Sequence, residues 1–179
     1  MKLKVFGLSQ LLVLLVCGIS DAAADRGARD GIYIYSSDTL VCQQGSGDDR
    51  IAACTRDIES GHWQGIDLAL AYNNRAAAKS AKGEFGGAIA DTSRAIELNP
   101  KYGKAYSNRG VAKYGKGDID GAIEDFNSAL EYDARPEVRA NAYSNRGTAK
   151  MKKGDRDGAL ADYNRAIELD PHLARKLMP

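Results

Sequence analysis

Three stretches of the chain repeat one pattern: AYNNRAAAKSAKGEFGGAIADTSRAIELNP (71–100), AYSNRGVAKYGKGDIDGAIEDFNSALEYDA (105–134) and AYSNRGTAKMKKGDRDGALADYNRAIELDP (142–171). Gly83 and Gly117 lie 34 residues apart, and Gly117 and Gly154 lie 37 apart. A repeat of this length is typical of stacked supersecondary units, each of which buries its apolar face against its neighbours. The pattern therefore predicts a solenoid, and it favours binding over catalysis.

Each stretch predicts two antiparallel helices that are separated by its glycine. The predicted helices cover residues 66–82, 85–98, 102–116, 119–132, 136–153 and 156–169. The second repeat has Ala134 where the others have a closing proline, and Pro136 follows two residues later. Because proline suits the first position of a helix, we expect the helix that begins at Pro136 to be one turn longer. A looped-out connection is the alternative.

The N-terminal part shows weaker signals. Residues 25–48 are expected to be poorly ordered, with a short extended stretch at 31–35 and a loop at 43–47. A helix is predicted from Asp48 or Asp49 to about Ser60, because these acids can cap its start. It corresponds to the second half of a repeat whose first half has been lost.

Small and bulky residues recur at fixed columns of the repeat. The small columns are Ala76, Gly110 and Gly147; Ala88, Ala122 and Ala159; and Ala95, Ala129 and Ala166. The bulky columns are Tyr72, Tyr106 and Tyr143; and Thr92, Phe126 and Tyr163, where Thr92 is the weak match. These columns resemble the tetratricopeptide repeat (TPR), in which helix pairs stack through small residues. The resemblance covers residues 69–173.

The resemblance implies an all-α fold: a right-handed superhelical solenoid of antiparallel helix pairs, with three TPR units and an N-terminal half-repeat. The expected domains are a signal peptide (1–24), a poorly ordered N-terminal segment (25–48), a degenerate half-repeat with its connection (49–68), TPR 1 (69–102), TPR 2 (103–136), TPR 3 (140–173) and a short tail (174–179).

Two columns of the repeat carry charged residues, and the first of them holds arginine where the family often has leucine. Arginine precedes the first small column at Arg75, Arg109 and Arg146, and an acid recurs on the second helix at Asp91, Asp125 and Asp162. We predict arginine–aspartate pairs that bridge the two helices, within or between repeats. The alternative is that these charges are separately solvated.

In this family the first helix of each repeat lines the concave face, which implies a peptide-binding site there. The candidate residues are Asn73, Asn74, Lys104, Ser107, Asn108, Tyr114, Asn141, Ser144 and Asn145. An asparagine recurs before each arginine, and a row of amides can bond the backbone of an extended peptide. The alternatives are surface residues without a ligand and caps for local backbone. The family's lysine-based clamp for a C-terminal carboxylate is not expected, because only Asn74, Asn108 and Lys104 match it.

The first 24 residues predict a signal peptide. Lys2 and Lys4 precede an apolar run over 8–19, and the small residues at 22–24 provide a cleavage site before Asp25. The run is too short to span a membrane, so a periplasmic or secreted protein is expected. Residues 14–18 also resemble a lipoprotein box around Cys17, although Val16 departs from it, so lipidation is the alternative.

Two cysteines follow the predicted cleavage site, Cys42 and Cys54. Disulfides persist in exported proteins, so we predict a Cys42–Cys54 bridge. The alternative is two buried thiols.

The charge balance and the histidine positions argue against several classes of function. Charges are nearly balanced, with a net charge of +1, so nucleic acid is not an expected partner. His62 and His172 lack metal-ligand spacing, and no catalytic or cofactor motif is present. The sequence predicts a non-catalytic protein- or peptide-binding scaffold in the cell envelope. The alternatives are a lipid-anchored adaptor, a subunit of an enzyme complex, and a homodimer formed through the apolar C-terminal end.

Overall fold

The computed structural model describes residues 36–177. The described residues from Asp38 onward form one compact unit. The predicted signal peptide and the extended stretch at 31–35 lie outside the described residues. The helices are α1 Ser37–Gln44, α2 Gly47–Glu59, α3 Gly65–Ala81, α4 Phe85–Leu98, α5 Gly103–Lys116, α6 Ile119–Tyr132, α7 Pro136–Lys153, α8 Arg156–Leu169, a 3-10 turn Pro171–Leu173 and α9 Ala174–Leu177.

Helices α3–α4, α5–α6 and α7–α8 form three hairpins, and the solenoid is all-α over the described residues. The helix bounds agree with the predicted ones to within a residue. Gly117 and Gly154 end their helices in the left-handed conformation, with φ of 88° and 94°, which glycine adopts without strain. The repeat boundaries at 69–102, 103–136 and 140–173 stay predictions.

Helix α7 confirms the expected extra turn. It contains 18 residues against 14 in α5, and Pro136 stands in its first turn. The extra residues between the second and third repeats therefore extend a helix and do not form a looped-out connection.

Helix α1 corrects the expectation of weak structure over 25–48, because Ser37–Gln44 is helical. The predicted disulfide is confirmed: Cys42 on α1 is bonded to Cys54 on α2. Asp38 also pairs with Arg56 across the same two helices, at 2.6 Å. Helix α1 thus takes the place of the first helix, and the prediction that the half-repeat lacks one is wrong. An isolated helix this short is unstable in water, so tertiary contacts decide it and local sequence signals do not.

Bulky and small side chains are matched within each repeat. A Cβ added at Gly110 would lie 2.7 Å from Cε1 of Phe126, and one added at Gly147 would lie 2.7 Å from Cε1 of Tyr163. In the first repeat the corresponding positions hold Ala76 and Thr92, both fully buried. The additional methyl group of Ala76 is therefore accompanied by a smaller partner, which explains why Thr92 departs from the aromatic column.

The first helices of successive repeats contact one another directly, α3 with α5 and α5 with α7. Among the described residues, no contact of comparable extent joins the second helices α4, α6 and α8 to one another. The first helices are therefore closer together, so α3, α5 and α7 line the inner side of the curve.

Candidate peptide groove

The inner faces of α3, α5 and α7 carry the nine predicted peptide-binding residues, which the structure divides into two groups. The exposed or half-exposed group is Lys104, Asn108, Tyr114, Asn141 and Asn145. The buried group is Asn73, Asn74, Ser107 and Ser144.

The buried group contributes to the solenoid itself. Asn73 is 0% exposed, and its Oδ1 accepts a hydrogen bond from Nδ2 of Asn108 in the next repeat, at 2.8 Å. Oδ1 of Asn74 accepts a hydrogen bond from Arg50 of α2, at 3.4 Å. A groove ligand cannot touch these buried side chains in this conformation, so the contact set is smaller than the sequence suggested.

The exposed group retains hydrogen-bonding capacity. Among residues 36–177, no hydrogen bond or ion pair engages the side chains of Lys104, Asn141 or Asn145. The asparagine column is thus not uniform, since Asn145 is open while Asn108 is held by the neighbouring repeat.

Two apolar side chains on the same faces complete the accessible surface. Val111 is 37% exposed and Met151 is 43% exposed. The family resemblance places both on the concave face, although neither is among the nine predicted contacts. Val111 follows Asn108 by three residues, and Met151 follows Asn145 by six. The groove therefore presents amides and one lysine at one side and apolar groups at the other.

Below this surface, each repeat contains the predicted arginine–aspartate pair, and all three pairs lie within one repeat. Nη2 of the arginine lies 2.6–2.8 Å from the aspartate, and a lysine one turn further along the first helix approaches the same carboxylate at 2.8–2.9 Å. We call each set a charge cluster. The clusters are Arg75, Lys79 and Asp91; Arg109, Lys113 and Asp125; and Arg146, Lys150 and Asp162.

Each arginine also reaches the second helix of the preceding unit through its Nη1. Its acceptors are Thr55 for Arg75, Ser93 for Arg109 and Asn127 for Arg146. Its guanidinium lies 5.3–5.5 Å from the centre of a tyrosine ring on its own helix, a cation–π distance. The clusters thus join the two helices of a repeat and connect successive units.

Hydrogen bonds within the clusters shift the pKa values of the arginines and of one aspartate toward the charged forms. Hydrogen bonds to aspartate raise the pKa of Arg75, Arg109 and Arg146. Burial opposes ionisation of Asp162, but its bonds with Arg146 and Lys150 outweigh burial and lower the pKa of this carboxyl.

The half-repeat contains the aspartate of this column but lacks its cations. Asp57 is buried and accepts a hydrogen bond from Oγ1 of Thr39 on α1, at 3.1 Å. Burial raises the pKa of Asp57, and hydrogen bonds from Thr39 and Trp63 only partly offset this.

Two family models, both described as Tetratricopeptide repeat, match residues 73–139 and 140–173. The chain belongs to the tetratricopeptide repeat family. No curated protein matches it.

Solved structures show the same TPR fold. A crystal structure of MamA is 26% identical, with a TM-score of 0.62, and the match covers 77% of each chain. The first TPR of Spaghetti (RPAP3), bound to the HSP90 peptide SRMEEVD, is 24% identical, with a TM-score of 0.57, and covers 65% of this chain and 95% of its own. Tetratricopeptide repeats are protein-interaction modules, so this TPR chain is a protein-interaction scaffold.

The described part of this TPR protein contains neither a metal-binding cluster nor a membrane-spanning helix. No group of histidine, cysteine or acidic side chains within residues 36–177 is arranged to hold a metal ion. No described helix combines the length and apolarity that crossing a bilayer requires.

Proposed function

We propose that this TPR protein is a non-catalytic scaffold that binds an extended peptide or a helix of a partner protein against α3, α5 and α7. The observation that carries the proposal is the accessible face of α5 and α7. There the unengaged amides of Asn141 and Asn145 accompany the exposed apolar side chains of Val111 and Met151.

These groups suit a peptide main chain and its side chains. An asparagine amide donates and accepts hydrogen bonds at once, which matches the alternating N–H and C=O groups of an extended peptide. Methionine adapts to partners of different shape, so Met151 can accommodate an apolar side chain. Lys104 is the only charged residue among the predicted contacts and favours an acidic or neutral segment over a basic one.

The Spaghetti TPR, which is bound to an HSP90 peptide, indicates that this fold can hold a peptide. The similarity between the two chains is one of fold, so it does not identify the peptide that this protein binds. The groove proposed here differs from a lysine-based carboxylate clamp, because the expected lysine and arginine positions hold Asn73 and Asn145. We therefore expect recognition through peptide main chain and apolar side chains.

In-cell photocrosslinking tests the proposal. A photoreactive residue replaces the exposed Met151, and a matched control places it at the exposed Glu124 on α6. We expect a discrete protein adduct from position 151 that Asn145→Ala combined with Lys104→Glu abolishes, and no such adduct from position 124. Equal labelling from both positions, or labelling that ignores the groove substitutions, would contradict the proposal.

Export to the cell envelope is the second part of the proposed function. It is supported by the Cys42–Cys54 disulfide, since such bonds persist in oxidising compartments, and by the predicted signal peptide. Mass spectrometry of the mature N-terminus tests it. A chain that begins at Asp25 supports cleavage and release, and an acylated Cys17 supports the lipid-anchored alternative. An unprocessed Met1 in every fraction would contradict both.

A further inference from the structure

Helix α8 resembles α6 closely in sequence, with seven of twelve aligned residues identical. DGAIEDFNSALE occupies residues 120–131, and DGALADYNRAIE occupies residues 157–168. Helix α6 uses its outer face to receive α7, the first helix of the next repeat. Helix α8 is the last of these second helices in the described solenoid, and no further repeat packs on its corresponding face within residues 36–177.

Three contacts define how α6 receives α7. One acid pairs with a lysine, one amide accepts a hydrogen bond from an arginine, and one branched apolar side chain packs in a cluster that contains an alanine of α7. These contacts are Asp120 with Lys153 at 2.5 Å, Asn127 with Arg146 at 2.6 Å, and Ile123 with Ala149.

Earlier junctions use the same chemistry. Asp48 of α2 pairs with Lys82 of α3, and Ser93 of α4 accepts a hydrogen bond from Arg109 of α5. The first helix of each repeat thus carries an arginine, an alanine three residues later and a lysine seven residues after the arginine. At each junction the preceding second helix contacts at least one of these two cations.

The same three positions on α8 are open. They hold Asp157, Leu160 and Asn164, which are all exposed, and Leu160 is 52% exposed although its counterpart Ile123 is packed. Within residues 36–177, no ion pair or hydrogen bond engages the side chains of Asp157 or Asn164. The single turn of α9 leaves this face uncovered.

We propose that the face of α8 formed by Asp157, Leu160 and Asn164 binds a helix of a partner protein in trans. The helix carries arginine, a small residue three positions later, and lysine four positions after that. Its lysine pairs with Asp157, its small residue packs on Leu160, and its arginine donates to Asn164. This surface is separate from the groove, so the proposal does not depend on the groove ligand.

Charge complementarity favours such a helix over a second copy of this chain. An α8-to-α8 contact would oppose Asp157 and Asn164 to an identical pair, which provides neither of the two cations. The junction between α6 and α7 shows that a helix with aspartate, a branched apolar residue and asparagine at these three positions accepts the basic helix.

The probe is a fluorescein-labelled, end-capped peptide with the sequence of residues 136–153, which contains Arg146, Ala149 and Lys153. Its binding to the full chain is followed by fluorescence anisotropy. We expect saturable binding that Leu160→Asp weakens at least about tenfold, and that Arg146→Glu in the peptide weakens similarly. Leu40→Asp is the matched control, because Leu40 is 48% exposed on α1 at the other end of the solenoid. It should leave binding unchanged.

A charge exchange then assigns the contact. Asp157→Lys should weaken the wild-type peptide and should bind the Lys153→Asp peptide more tightly than wild-type protein does. Absence of saturable binding, or equal binding by the Leu160→Asp and wild-type proteins, would overturn the proposal. So would a dimer in light scattering that Leu160→Asp dissociates, because the face would then belong to a second copy. Circular dichroism of each variant verifies that the helices are retained.

Discussion

Replacing Arg109 with leucine tests whether the charge clusters stabilise the solenoid. Nε and Nη2 of Arg109 donate to both carboxylate oxygens of Asp125, at 2.9 and 2.8 Å, and Nη1 donates to Ser93, at 3.3 Å. The guanidinium also lies 5.3 Å from the ring centre of Tyr106. Leucine removes all these contacts but restores the residue type that the family often has there.

The magnitude follows from what remains beside Asp125. This residue is 3% exposed, so its carboxylate stays buried. Breaking a buried ion pair costs about 3–5 kcal/mol when one charge is left alone. Here Nζ of Lys113 remains 2.9 Å away, so we expect a smaller loss of about 2 kcal/mol. For a chain of this size that loss lowers the melting midpoint by about 4–8 °C.

Thermal and urea unfolding, followed by circular dichroism, measure the effect. Arg94→Leu is the matched control, because Arg94 is 53% exposed and its ion pair with Glu97, one turn away, is exposed to solvent. It should change stability by less than about 0.5 kcal/mol.

Further substitutions separate the cluster from its parts. Arg109→Leu with Lys113→Leu leaves Asp125 without a cation and should approach the full cost of about 3–5 kcal/mol. Adding Asp125→Leu should recover most of that loss, because apolar replacements of whole buried ion clusters are well tolerated. An unchanged or raised midpoint in the Arg109→Leu variant would refute a stabilising role for the cluster.

Three further predictions concern packing, pH and the disulfide. Gly110→Ala places a Cβ 2.7 Å from Phe126 and should cost about 1–3 kcal/mol in urea unfolding; a neutral result would show that the ring moves freely. Burial raises the pKa of Asp57 above its ordinary value of 3.8, so the folded state favours the protonated carboxyl. The contribution of Asp57 to stability is therefore fully present below pH 3.8 and is lost as the pH rises through the raised pKa. The stability of Asp57→Asn relative to wild type should therefore increase between about pH 3 and pH 7, and a constant difference would contradict this. Replacing Cys42 and Cys54 with serine should cost about 2–3 kcal/mol and reduce hydrogen-exchange protection of α1, whereas unchanged protection would show that α1 needs no bridge.

Local signals determined most of the fold. Gly117 and Gly154 stop helices because only glycine readily adopts their positive φ, and Pro136 begins one because its ring suits a first turn. These effects act within a few residues of the chain. Each of these signals occurs in three repeats, so the helix bounds and the small and bulky columns could be predicted from the sequence alone.

Contacts between units decided the rest. The sequence placed Asn74, Asn108 and Asn145 in one column, but only the tertiary structure distinguishes them, since Arg50 holds the first, Asn73 holds the second, and the third is open. Helix α1 likewise depends on α2, because eight residues cannot form a stable helix alone. Periodicity identifies the face on which a residue lies, whereas its burial depends on which side chains the neighbouring unit brings to it.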